Sequence, residues 1–201
     1  MPAVPIVKLN TSQIEAAGTI LARAFSEDSF FSYVLPDPDT RFPALEYYSR
    51  SYVYASCLAG GVYGTLDPVT GIAVWGVPGS PVTPEHRNRS GLDRLPESFG
   101  TGAYRRYKHM VDFFESLIGR DVPTPHWYLS ILGVDPDHQG KGLGGTLLQP
   151  ALAQADEEGL PCYLETLEEK NLAFYMRHGF EVLVDAREPL SGLQFWTMIR
   201  S

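Results

Sequence analysis

The sharpest chemical pattern in the chain is Gly133-Val134-Asp135-Pro136-Asp137-His138-Gln139-Gly140-Lys141-Gly142-Leu143-Gly144-Gly145. A strand-like apolar run enters it and a helix-like run leaves it. Glycines let backbone amides approach an anion closely, and a helix N-terminus adds positive dipole. Lys141 adds one charge. The expected structure is a cradle for phosphate or pyrophosphate. Gly140, Gly142 and Gly145 also spell the G-x-G-x-x-G dinucleotide fingerprint, with Glu165 at the customary offset for a ribose-binding acid. Two features argue against that reading. Asp135 to Gln139 separate the glycines from the strand, and too little chain follows for the further strand–helix units of that fold. An ordinary glycine-rich turn is the other alternative, and five glycines with Gln139 and Lys141 weigh against it.

The elements that position this loop follow from periodicity. Strands are expected at 6–9, 62–66, 72–77, 127–134, 162–167, 180–184 and 193–199, with the 67–71 turn closing a hairpin. Helices are expected after a Thr11 cap through Ser26, at 44–58, at 104–119, at 143–158 and at 171–178. Pro150 inside the 143–158 helix should kink it. The 29–35 stretch reads as an aromatic segment stopped by Pro36 and Pro38, and 78–96 as a long loop. The 127–134 strand is apolar enough to be covered on both faces. Helices and strands interleave around one mixed sheet, which is an α/β arrangement.

Composition bounds the function. The chain has 201 residues, of which 44% are hydrophobic and 20% charged, as in a globular protein. Its net charge of −8 argues against a general nucleic-acid binder, whose affinity rests on Lys and Arg. Cys57 and Cys162 are too few for a disulfide framework or a four-thiolate zinc site. The N-terminal residues lack a signal-peptide pattern, and no stretch reaches the ~20 apolar residues of a membrane helix. The expectation is a soluble cytoplasmic protein without membrane partners, a monomer or a homodimer.

Val134-x-Pro136-x-x-Gln139-Gly140-x-Gly142-x-Gly144 resembles the acetyl-CoA signature of the GCN5-related N-acetyltransferase (GNAT) superfamily. Asn171-Leu172-x-Phe174-Tyr175-x-x-x-Gly179-Phe180 is similar to its second motif. Trp127, the loop from Asp137 to Gly144, Pro150 and Leu164-Glu165-Thr166 resemble the puromycin N-acetyltransferase group within it. The strong similarity spans about 127–199. The resemblance implies a splayed mixed sheet flanked by helices in one GNAT domain over 1–201. Its acetyl-CoA-binding core would cover about 126–199, and a substrate-selecting part about 1–125.

The resemblance also implies roles for single residues. Leu132, Gly133 and Val134 would pair with the pantetheine arm. Backbone N–H groups of Gln139, Gly140, Lys141, Gly142, Leu143, Gly144 and Gly145 would hold the pyrophosphate. Asn171 would bond the pantetheine or simply cap its helix. Ser130 marks a strand bulge whose N–H polarises the thioester carbonyl. Tyr175 matches the general acid, and a phenol pKa near 10 suits a departing thiolate. Glu165 and His126 are the candidates for the base that takes the amine proton, Glu165 ahead of His126. Asp28, Phe30, Phe31 and Tyr33, with the helix from Tyr104 to Phe114, are expected to contact the substrate. The implied reaction is transfer of acetyl from acetyl-CoA to a primary amine of a small molecule, by direct attack and without a metal. A non-catalytic acyl-CoA sensor, a protein-interaction module, or an acyltransferase for a protein amine are the alternatives.

Overall fold

In the computed structural model, which describes residues 5–201, apolar alternation and helical stripes resolve into one sheet with helices on both faces. Residues 1–4, which begin the segment expected to lack a signal peptide, lie outside the described residues. The strands are β1 (Ile6–Lys8), β2 (Val62–Thr65), β3 (Gly71–Gly76), β4 (Trp127–Val134), β5 (Cys162–Thr166), β6 (Glu181–Arg187) and β7 (Gln194–Arg200). They lie in the order β1-β2-β3-β4-β5-β7-β6. Neighbours are antiparallel except β4 and β5, which run parallel. A parallel pair needs a crossover, and α6 (Leu143–Glu158) supplies it.

The remaining helices are α1 (Ile14–Ala24), α2 (Ser29–Val34), α3 (Pro38–Leu58), α4 (Pro84–Ser90), α5 (Leu95–Asp121) and α7 (Leu172–Met176). On one face of the sheet, Leu147, Leu148, Ala151 and Leu152 of α6 pack on Ala73, Trp75, Trp127, Leu129 and Met198. On the other, Ala17 and Leu21 of α1 and Leu45 and Val53 of α3 pack with Ile72, Val74 and Ile131. Met110, Phe114 and Leu117 of α5 close a third cluster on Phe195 of β7. Each fully buried large apolar side chain contributes about 1.5–3 kcal/mol, so these faces fix which way every strand is turned.

Several expectations are corrected, mostly where proline starts a helix instead of stopping one. Pro38 occupies the first turn of α3, and the Asp37 carboxylate accepts the Asp39 N–H at 3.0 Å, so that helix begins well before residue 44. The 78–96 segment is not a long loop. It holds α4, started by Pro84 behind a Thr83–His86 capping box and ended by Gly91 at φ 80°, and then a 3-10 turn. α5 follows without a gap but is broken at Gly100, whose φ 72° and ψ 161° are not helical, so the expected helix starts just past that glycine and a further helical segment from Leu95 precedes it. The 29–35 segment is helical because Asp28 caps it, accepting from the Phe30 and Phe31 N–H groups at 3.0 and 3.2 Å. Asn10, not Thr11, caps the first turn. α6 runs on through Pro150. β4 is not covered on both faces along its length: buried and half-buried residues alternate. Among the described residues no helix is long and apolar enough to cross a membrane.

Candidate active site

The site begins with a bulge. Val74 of β3 faces Ile131, but the next residue, Trp75, faces Leu129, so Ser130 is the extra residue on β4. Its Oγ donates to the Val74 carbonyl at 3.1 Å. A bulge of one residue turns the following side chains to the opposite face. Accordingly Leu129 packs under α6, while Ile131, two residues on, packs under α1 and α3. β4 pairs with β5 only through Trp127–Cys162, Tyr128–Tyr163 and Leu129–Leu164. Past that point β5 stays with β7 and β4 stays with β3, and the two strands part. Leu132, Gly133 and Val134 lie on the parted edge. Gly133 lets α1 come close: a Cβ there would lie 2.4 Å from Leu21 Cδ2.

The glycine loop follows. Arg23 of α1 grips it with both guanidinium nitrogens, at 2.8 Å from Asp135 and 2.9 Å from Asp137. The Gln139 side chain donates to the Val134 carbonyl at 3.0 Å. Gly140 and Gly142 take φ of 73° and 80°, which suit glycine, with open space where a Cβ would be. Gly142 is the N-cap of α6 and no side chain bonds the first turn, so its N–H groups face the groove without a capping partner. Gly144 and Gly145 serve packing: a Cβ would meet Phe174 at 3.4 Å and His178 at 2.7 Å. Lys141 Nζ donates back to the Asp137 carbonyl at 2.9 Å. A groove of about 540 Å³ runs past these residues; it is lined by every expected cofactor residue except Lys141 and Gly145, and by Lys170 and Arg177 as well. The open β4 edge, the uncapped helix end and the positive-φ glycines fit a long arm ending in phosphates.

A second cavity of about 430 Å³ lies under α2, α3 and α5. Phe30, Phe31, Tyr48, Tyr52, Tyr107 and Phe114 form its aromatic wall, and Tyr128, Ser130 and Glu165 its floor. Groove and cavity share Phe25, Asp28, Leu132, Asn171 and Tyr175. Asn171 makes no side-chain cap to α7. Tyr33 packs among the clusters beneath α3 and α5 and lines neither space. His126 also lines neither, its Nδ1 lying 2.9 Å from the Pro123 carbonyl. Tyr48, Tyr52, Tyr128, Arg87 and Glu115 line the cavity without having been singled out as site residues. Tyr48 and Tyr52 recur four apart on a helical stripe, the same signal that a plain core face gives.

Burial sets the charge states. The Glu165 carboxyl is pushed up to about 7 by burial, with Tyr128 and Tyr163 pulling the other way, and its Oε1 has no hydrogen-bond partner. Burial also raises Asp28, to about 6, against its bonds to the α2 backbone. The Tyr175 phenol is held above its ordinary value by burial and then by the Asp28 charge, so it remains protonated at neutral pH. Glu168 joins the walls, accepting from the Ser29 N–H at 3.1 Å and the Ser29 hydroxyl at 2.6 Å. Both thiols are pushed up to about 11 by burial, which leaves no ready thiolate nucleophile at Cys57 or Cys162.

Residues 92–180 match the model of the Acetyltransferase (GNAT) family. An uncharacterised N-acetyltransferase of Schizosaccharomyces pombe is 26% identical over 179 residues, covering 86% of this chain and 72% of the relative. A Corynebacterium glutamicum structure described as histone acetyltransferase and related acetyltransferase superposes with a TM-score of 0.71 at 22% identity, over 97% of this chain and 94% of that one. The polyamine N-acetyltransferase of Drosophila melanogaster, which forms N-acetylagmatine, superposes at 0.65 with 14% identity, over 97% and 98%. These two structures share the fold. The splayed seven-stranded sheet is that of the GNAT fold, and the family match over 92–180, under half of the chain, takes in the glycine loop and Tyr175.

Two outcomes follow from this geometry. Gly142→Val places a branched side chain at a positive φ and into the groove; acetyl-CoA affinity falls at least about tenfold while the fold survives. Calorimetry that finds unchanged affinity in the folded variant refutes the cradle. Glu165 keeps its proton to about pH 7 in the folded chain, whereas an unfolded glutamate loses it near 4.3. Its ionisation therefore penalises folding progressively between those values and fully above pH 7. Glu165→Gln gains more stability relative to wild type at pH 8 than at pH 5 in urea titrations, and an equal difference at both pH values contradicts the burial argument.

Proposed function

We propose that the chain works as one unit that moves acetyl from acetyl-CoA to the primary amine of a small molecule with an apolar or aromatic body. In this reading about 126–199 hold the cofactor and about 1–125 choose the acceptor. The observation that carries it is the meeting of two spaces at Tyr175, one bounded by an anion-ready helix end and the other by aromatic rings. Bound acetyl-CoA supplies the thioester. The parted edge at Leu132, Gly133 and Val134 holds its amide-bearing arm, and the N–H groups at the start of α6 hold its phosphates. The backbone at the Ser130 bulge offers a hydrogen bond to the thioester carbonyl.

The amine forms the new C–N bond as the C–S bond breaks. Glu165, with a pKa near neutrality, takes the amine proton, and the Tyr175 hydroxyl gives one to the departing sulfur. An α-amine with a pKa near 8 is about one-tenth neutral at pH 7, so a weak base is enough. His126 is set aside as the base because it lines neither space. A cavity walled by aromatic rings favours a small acceptor over a lysine tail, and the proposal extends to puromycin-type acceptors and a cytoplasmic enzyme. The small-amine activity of the Drosophila neighbour supports the same class of acceptor.

Thiol release from acetyl-CoA across puromycin, aromatic amino amides and lysine-containing peptides tests the reading. The small amines win in kcat/KM; preference for the peptides transfers the assignment to a protein amine, and CoA binding without release from any amine makes the protein a sensor. Tyr175→Phe lowers kcat by about 10²–10⁴-fold with little change in acetyl-CoA affinity. An unchanged single-turnover rate removes the general-acid role. In wild type kcat/KM declines as pH falls through about 7, where Glu165 becomes protonated and stops accepting. Glu165→Gln loses that limb, and an unaltered profile shifts the base to water.

A further inference from the structure

Acids and one cation line the acceptor cavity. Asp28, at the N-cap of α2, and Glu165, on β5, belong to its floor and to the junction with the cofactor groove. Arg87 of α4 lines the cavity and is absent from the groove. It is the one Lys or Arg among the cavity's lining residues. Its Nε bonds Asp93 at 3.3 Å, which leaves the two terminal nitrogens for another partner. Glu115, exposed on α5, is the remaining acid of the lining. The Arg87–Asp93 contact is a surface pair worth little to stability.

Where Arg87 belongs in the cavity follows from its neighbours. It sits on α4, which packs against α3, the helix that carries Tyr48 and Tyr52, and its charge pulls those phenols and that of Tyr107 down against burial. The charge that acts on Tyr175 is that of Asp28. Arg87 thus belongs to the tyrosine wall and, unlike Asp28 and Tyr175, does not line the groove. A planar guanidinium beside phenol hydroxyls matches a carboxylate in geometry and charge.

Resting on the small-amine reading above, we infer that Arg87 and the tyrosine wall form an acceptor subsite for a carboxylate. The preferred acceptor is then a primary amine that bears a carboxylate across an apolar or aromatic body. The same arrangement selects against diamines, because a second ammonium would be driven against the guanidinium. Selectivity on this site separates the chain from a neighbour that shares its fold and takes polyamines.

The test uses phenethylamine and its para-carboxylate and para-aminomethyl derivatives, with thiol release from acetyl-CoA as the readout. Wild type prefers the para-carboxylate over phenethylamine at least about tenfold in kcat/KM, and phenethylamine over the diamine. In Arg87→Gln the carboxylate preference falls to about one, and in Arg87→Glu it inverts in favour of the diamine. Glu115→Gln, which removes a competing acid, increases the preference. Acetyl-CoA calorimetry on each variant verifies the fold. Release from phenethylamine with no carboxylate preference in wild type, or a preference that survives Arg87→Gln, overturns this inference alone. No release from any of the three amines overturns the small-amine reading and this inference with it.

Discussion

Beyond the Leu129–Leu164 pair, β4 and β5 each keep one neighbour and give up the other. Backbone N–H and C=O groups removed from water without partners cost about 1–3 kcal/mol each. Such a parting persists only if the rest of the structure enforces it. The Ser130 bulge does so by turning Ile131 beneath α1 and α3, while β5 continues straight along β7. Gln139 covers one freed carbonyl, at Val134. Every later feature of the site depends on this divergence. The glycine loop starts where β4 ends, and the aromatic cavity opens across Tyr128 and Ser130.

Two long-range clamps keep the walls of the opening in place. The Arg23 fork ties α1 to the loop through Asp135 and Asp137, and Glu168 ties the start of α2 to the far side of the groove. The aromatic rings between them exclude water, and that exclusion is why Glu165 and Asp28 hold their protons toward neutrality. An unpaired Oε1 and a reluctant carboxylate cost stability. Both displacements subtract from stability once the carboxyls ionise.

The sequence made some of this visible and hid the rest for physical reasons. The strand at Trp127–Val134 and the helix at Leu143–Glu158 were readable to the residue, because apolar periodicity and the closing Gly159 mark them locally. α4 was hidden because Pro84 and Gly91 look like loop punctuation unless Thr83 is recognised as a cap. α2 was hidden by its run of aromatics, although Asp28 announces it. Pairs such as Arg23 with Asp135 join residues that no local pattern connects. Arg87, Glu115, Tyr52 and Tyr128 reach one cavity from four different elements, and only the folded arrangement brings them together.

Strand edges at the margin of a sheet invite pairing with foreign chains, and proteins blunt them with charges, prolines or bulges. The edge freed by β4 lies in the interior of a seven-stranded sheet, and that position blunts it by a different means. Leu21 and Phe25 lie against it at Gly133 on the α1 face. A polypeptide carries side chains alternately up and down and needs clearance on both faces. An unbranched arm with widely spaced amides does not. On the function proposed above, the slot admits a thread more readily than another protein's strand.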